Sequence, residues 1–174
     1  GLYMAACPNL TYEAEHCRPD QRDQSEAKDV LSIGILSSFL WDHTIGLLMR
    51  GIIEHLSRDK FEVILFRPPG KKDRISEILD RAADRVVPLS GRLERDQQAI
   101  EDEKLDILLY PDIGMSHYTY CLAFARLAPV QAVTWGHPDT TGIPNIDYFL
   151  SSDLLEVSGA SDYYSERLIL LENV

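Results

Sequence analysis

From Val30 onward the chain alternates short apolar runs with amphipathic stretches. That rhythm is the signature of a parallel sheet covered by helices, and it admits few other folds. Residues 30–36 and 61–66 read as strands. Between them Ile45, Leu48, Met49, Ile52, Ile53 and Leu56 recur at three- and four-residue steps, which places them on one face of a helix. Arg67-Pro68-Pro69-Gly70 stops the second strand, and Ile75, Ile78, Leu79 and Ala82 mark a second helix. A short strand at 85–89, a polar helix at 92–103, a strand at 105–110 and a helix at 118–127 follow. Pro129 closes that helix, because proline disfavours helical geometry in the residue before it, so a strand starts near Val130. Residues 146–150 and 168–171 supply two more strands. With right-handed crossovers almost obligatory, this order predicts an α/β, Rossmann-like, doubly wound parallel sheet over residues 30–174.

Residues 1–29 are rich in Glu, Asp, Arg and Gln and have no sustained apolar period, so they read as a connector, with Tyr3, Met4, Leu10 and Tyr12 able to pack on the domain. The formal net charge of -11 argues against a nucleic-acid groove, where clustered Lys and Arg dominate affinity. No apolar run reaches the ~20 residues of a membrane span, and no signal-type segment opens the chain, which is therefore expected to be cytoplasmic. The three cysteines, Cys7, Cys17 and Cys121, lack zinc-site spacing and read as free thiols.

Ligands of doubly wound sheets bind beyond the carboxyl ends of the strands, so the loops at 37–44, 67–73, 111–116 and 136–142 are where chemistry is expected. No Gly-x-Gly-x-x-Gly turn follows the first strand to cradle a dinucleotide. There is no Asp-x-Asp motif or helical histidine pair for a metal, and no Gly-x-Ser-x-Gly elbow. In the first loop Asp42 or Thr44 is positioned to cap a helix, leaving His43 to project into a cleft; the alternative is a histidine beside a cap. In the third, Gly114 would let backbone approach a ligand beside Asp112 and Met115, or simply serve a tight turn. In the fourth, Gly136, His137, Pro138, Thr140 and Thr141 offer donors and acceptors on a loop that proline stiffens. Trp41 and Trp135 suit stacking on a sugar face or packing in a core.

The same residues carry a resemblance. Arg126, Ala128, Pro129, Gln131, Gly136, His137, Pro138 and Thr140, followed by Ile146-Asp147-Tyr148, resemble the Arg-x-Ala-Pro-x-Gln and Gly-Tyr/His-Pro-x-Thr elements of the O-linked N-acetylglucosamine transferases, the SPINDLY-type proteins and the bacterial adhesin N-glucosyltransferases. The segment from Ile33 to Asp42-His43 resembles that family's Ser-Ser-Asp-Phe-Gly-Asn-His-Pro turn, and Tyr164-Ser165-Glu166-Arg167-Leu168 its Tyr-Ser-Glu-Lys/Arg-Leu element. Departures fall in the first turn, where Phe39, Trp41 and Thr44 replace aspartate, glycine and proline, and Leu47 replaces a histidine.

The resemblance implies the first half of a two-domain GT-B-type catalytic region in an inverting, metal-independent transferase that moves N-acetylglucosamine or glucose from a UDP donor to a protein side chain. It implies His43 as a catalytic contributor that orients or polarises the acceptor or acts as a base. Asp42, Thr44, Asp112, Gly114, Met115, Gly136, His137, Pro138, Thr140 and Thr141 become substrate-side residues. It implies no cofactor, a UDP-sugar bound mainly by a C-terminal half of the same protein, a protein acceptor, and in many members helical repeats upstream. The altered turn keeps a second reading open, a non-catalytic protein-binding module. A sugar-nucleotide epimerase fits the fold but not the Gly-His-Pro-x-Thr loop.

Overall fold

The structure is a computed structural model that describes residues 7–22 and 28–172. Seven parallel strands form one sheet: β1 Leu31–Leu36, β2 Phe61–Arg67, β3 Arg85–Pro88, β4 Ile107–Tyr110, β5 Val130–Thr134, β6 Tyr148–Ser152 and β7 Arg167–Leu171. They lie in the order β3-β2-β1-β4-β5-β6-β7, with Ile33 paired to both Val63 and Ile107. The chain thus winds outward from β1 one way and returns to wind outward from β4 the other way. The switch point lies between β1 and β4, where a crevice opens beyond their carboxyl ends.

Four helices link the strands: α1 Thr44–His55, α2 Arg74–Ala82, α3 Leu93–Glu101 and α4 His117–Ala123. Because strand side chains alternate, one face of the sheet buries Ile33, Ile35, Val63 and Leu65 with Ile45, Met49 and Ile53 of α1 and Leu79 of α2. The opposite face buries Leu36, Ile64, Phe66 and Leu108 with Ile100 of α3 and Leu122 of α4. Burial on both faces explains why the central strands read as continuous apolar runs.

The segment read as a connector packs on this second face. Leu10, Ala14 and Cys17 are buried, 3-10 turns form at Pro8–Thr11 and Glu15–Cys17, and Tyr12 sits partly buried against the same core. Tyr3 and Met4 lie outside the described residues. This contact also shortens α4. The Arg126 amide donates to Tyr12 O and the Ala14 amide donates to Arg126 O, both at 2.9 Å, so the backbone at Arg126 spends its hydrogen bonds on the N-terminal segment rather than on another helical turn. Among the described residues, Cys7, Cys17 and Cys121 form no disulfide. Among the described residues no helix is long and apolar enough to cross a membrane.

Candidate active site

Three loops meet at the carboxyl ends of β1, β4 and β5. The loop after β1 is held from both sides. Arg67 at the end of β2 donates through Nη1 to the carbonyl of Leu40 and through Nη2 to that of Ser76 at 2.9 Å, and it pairs with Asp80 at 2.6 Å. Asp73, which caps α2 by accepting from the amides of Ile75 and Ser76, also accepts from the amide of Asp42 at 2.9 Å. These amide bonds hold the Asp73 carboxyl below its usual range.

The cap of α1 is neither Asp42 nor Thr44, which are both exposed. It is His43, whose Nδ1 accepts from the Ile45 amide at 3.2 Å. An imidazole nitrogen that accepts carries no proton, so the neutral ring bears its hydrogen on Nε2. Phe39 and Trp41 lean on that ring, with centroids 4.7 and 5.2 Å away, and Lys71 Nζ lies 4.3 Å over Trp41. Two of the residues that depart from the family turn, Phe39 and Trp41, thus form an aromatic wall around His43. Trp41 is half-buried there, its indole N–H donating to Ser38 O at 3.1 Å, while Leu47 is 52% exposed on α1.

Asp112, read from sequence as a loop residue facing ligand, is instead fully buried at the switch point. Its Oδ2 accepts from the Ser38 amide at 3.0 Å, and a 2.9 Å contact between the hydroxyls of Ser38 and Ser116 reinforces this link between the β1 and β4 loops. Its Oδ1 is buried with no hydrogen-bond partner. Burial pushes the carboxyl up to about 6, against the pull of the Ser38 amide and of the nearby Thr119 and Ser37 hydroxyls. Met115 is exposed beside it.

The β4 and β5 loops touch at two glycines. Gly114, at φ +100°, lies so close to the His137 ring that a Cβ there would sit 2.9 Å from it. At Gly136 a Cβ would meet the carbonyl oxygen of Pro111 at 2.0 Å and Ile45 Cδ1 at 2.6 Å. Gly136 is therefore demanded by close approach to backbone and Gly114 by its positive φ, and His137 is brought to the crevice half-buried, with Pro138 exposed beyond it.

Thr140 and Thr141 turn the other way. Thr140 Oγ1 donates to Glu166 Oε2 at 2.7 Å, and the Thr141 amide and hydroxyl both donate to Glu166 Oε1, the amide at 2.8 Å. Both threonines serve the loop's own structure, and Glu166 is a residue the sequence reading left without a role. Its motif was visible, but nothing local in the sequence links it to a loop some 25 residues earlier.

The strand-entry motif is also structural. Buried Gln131 donates to the carbonyls of Ala125 and Asn145 and accepts from the amide of Leu127 at 2.8 Å, and Arg126 pairs with Asp147 at 2.6 Å. A separate acidic groove lined by Glu15, His16, Gln98, Glu101, Asp102 and Lys104 lies on the face covered by the N-terminal segment, away from the carboxyl ends of the strands. His16 Nε2 is engaged there with the carbonyl of Leu105 at 3.2 Å.

Residues 11–174 match the model of Glycosyl transferase family 41. The chain is 28% identical over 153 residues to the probable UDP-N-acetylglucosamine--peptide N-acetylglucosaminyltransferase SPINDLY of Solanum lycopersicum, covering 82% of this chain and 16% of that protein. It is 30% identical over 119 residues to the UDP-glucose:protein N-beta-glucosyltransferase of Actinobacillus pleuropneumoniae serotype 5b, covering 66% and 18%. Among solved structures it superposes on a mutant of the O-GlcNAc transferase of Thermobaculum terrenum with a TM-score of 0.73 at 25% identity, over 82% of this chain and 28% of the other. The chain thus spans less than a third of the length of each of these relatives.

Proposed function

Because the chain belongs to glycosyl transferase family 41, we propose that it forms the acceptor-side half of an inverting, metal-independent transferase that moves a sugar from a UDP donor to a protein side chain. The observation that carries this reading is the meeting of the β1, β4 and β5 loops at the switch point, with His43 and His137 presented on separate, braced loops. The donor diphosphate would be held mainly by a second half of the same polypeptide, where a helix N-terminus and a basic residue suit it.

In this reading the chain contributes position and polarity rather than a strong base. With Nδ1 committed to the Ile45 amide, His43 offers Nε2–H as a hydrogen-bond donor. It orients the acceptor or steadies negative charge that develops in transfer, and it takes no proton while that tautomer holds. Asp112 is enclosed and acts on the site through Ser38 rather than by touching substrate. Gly114 and Gly136 keep backbone close to the crevice, and His137 supplies a second imidazole beside Gly114.

A non-catalytic binding module is the second reading, favoured by one observation. Phe39 and Trp41 fill the turn around His43 with aromatic surface in place of small and acidic residues. Turnover of UDP-sugars by the full-length parent separates the two. Transfer that falls at least tenfold in His43→Ala, with circular dichroism unchanged, supports a transferase with His43 in its site. Unchanged transfer removes His43 from the mechanism. No transfer from any of several UDP-sugars favours the binding module.

A further inference from the structure

The Tyr-Ser-Glu element has no part in the reaction proposed above, yet its glutamate is 5% exposed on a surface loop. Such burial of a carboxylate calls for compensation, and the loop after β5 supplies it. Besides the three bonds from Thr140 and Thr141 to Glu166, the Ser165 amide donates to Thr140 Oγ1 at 3.0 Å. Ser165 Oγ accepts from the Gly142 amide at 3.2 Å, and the Ile143 amide donates to Thr141 Oγ1 at 3.1 Å. The amides of Thr141, Gly142 and Ile143 all end in this knot. Tyr164 moors it to the domain, its ring 4.6 Å from that of Phe149 and its hydroxyl donating to Glu156 at 2.7 Å.

At the other end of the loop, Gly136 is seated against Pro111 and Ile45. His137 lies between these two anchors, its ring packed on Gly114. We propose that Glu166 is a positioning residue for His137: by tying Thr140 and Thr141 to the start of β7, it fixes the loop that holds the imidazole over Gly114 at the mouth of the crevice. The loop has no helix or strand of its own, and each freed residue regains roughly 1–2 kcal/mol of backbone entropy. Cutting one end therefore lets the ring leave Gly114. The importance of this placement for sugar transfer rests on the reading given above, whereas the placement itself does not.

The charge matters less than the geometry of the acceptors. Glutamine keeps a carbonyl oxygen for the Thr141 amide and hydroxyl, and its amide nitrogen can donate to Thr140 once that hydroxyl rotates. Alanine keeps neither.

NMR of the chain reads the outcome directly, because a proton on Gly114 Cα lies against the His137 ring and feels its ring current. In Glu166→Ala, with circular dichroism unchanged, the ring-current shift at Gly114 and its cross-peak to the His137 ring are expected to vanish, and in Glu166→Gln to persist. A folded alanine variant that keeps both signals overturns the proposal, as does a glutamine variant that loses them as completely as alanine. Should the alanine variant fail to fold, the double variant Thr140→Val, Thr141→Val decides. It keeps the volumes but removes both hydroxyls that donate to Glu166, so loss of the cross-peak supports the proposal and retention overturns it. No sugar or donor enters these measurements. A parent protein inactive on every UDP-sugar would sink the transferase reading and leave the spectra as they are.

Discussion

Two polar regions border the loop that follows β5 and end in opposite states. In the knot of Thr140, Thr141, Ser165 and Glu166, the hydroxyls and carboxylate oxygens meet one another, and the buried carboxylate is held below its usual range. Burial acts against that direction, and the hydrogen bonds from Thr141 and Thr140 overcome it. At the β1–β4 switch point the balance is reversed. Asp112 has one orphaned oxygen and a carboxyl pushed up to about 6, and among the described residues no protein group meets Nε2 of His43. The first region is satisfied and acts as scaffold. The second leaves an enclosed carboxylate oxygen and a histidine nitrogen without protein partners.

The sharpest way to break this comparison is at the seam between the regions. Gly136 begins the loop that the knot ends, and its Cβ position is occupied by the Pro111 carbonyl oxygen at 2.0 Å. Backbone cannot move aside as a flexible side chain can. Gly136→Ala is therefore expected to cost about 3 kcal/mol or more, read as a lower urea midpoint at unchanged slope. A loss below about 1 kcal/mol would mean that the β4 and β5 loops are not stitched there.

The two carboxylates should also respond to pH and to neutralisation with opposite signs. Asp112 binds its proton more tightly in the native state, with a pKa of about 6, than in an unfolded chain at ~3.9. Between those values the native state holds more protons, so this group lowers stability as pH rises from ~4 to ~6, and its penalty is complete above that. Glu166, with its folded pKa depressed, contributes stability that is present above its unfolded value and lost as pH falls through the folded one. Asp112→Asn keeps a carbonyl oxygen for the Ser38 amide and removes the buried charge. Chemical denaturation at pH 7.5 should show a gain on the order of 2 kcal/mol, shrinking towards zero near pH 4. A loss of stability at pH 7.5 would make Asp112 part of the scaffold and erase the contrast.

How far this division was legible in the sequence depends on the reach of each signal. Strand positions and helix faces rest on periodicities within ten residues, and β1, β2 and α1 follow them closely. The limits of α4 do not, because the backbone at Arg126 is claimed by Tyr12 and Ala14, more than a hundred residues earlier. Among site residues, His43 and the glycines at 114 and 136 were visible as chemistry or as turn formers. Thr140, Thr141 and Asp112 were visible as polar loop residues but their partners were not, since a polar residue in a loop looks the same whether it faces a ligand or a partner across the fold. Arg126 and Gln131 stood in the densest part of the resemblance, yet they bind backbone and Asp147 rather than the crevice.

The smallest effect tests whether the aromatic wall belongs to the open region or to the scaffold. Lys71 caps the Trp41 ring at 4.3 Å, and its weak pairing with Asp73, at 3.9 Å, has a side chain 59% exposed. A solvated cation over an aromatic ring contributes about 0.5 kcal/mol, and an ion pair this long and exposed adds little. Lys71→Ala should therefore shift the denaturation midpoint only slightly, while Trp41 fluorescence responds to the loss of the neighbouring charge. That outcome describes a wall whose face is covered by a side chain easily displaced, as a surface meeting an acceptor would need. A loss above about 2 kcal/mol exceeds what a solvated cation–ring contact supplies. It would show Lys71 holding the turn in place, and Phe39, Trp41 and His43 would then belong with Glu166 among the groups that brace the crevice.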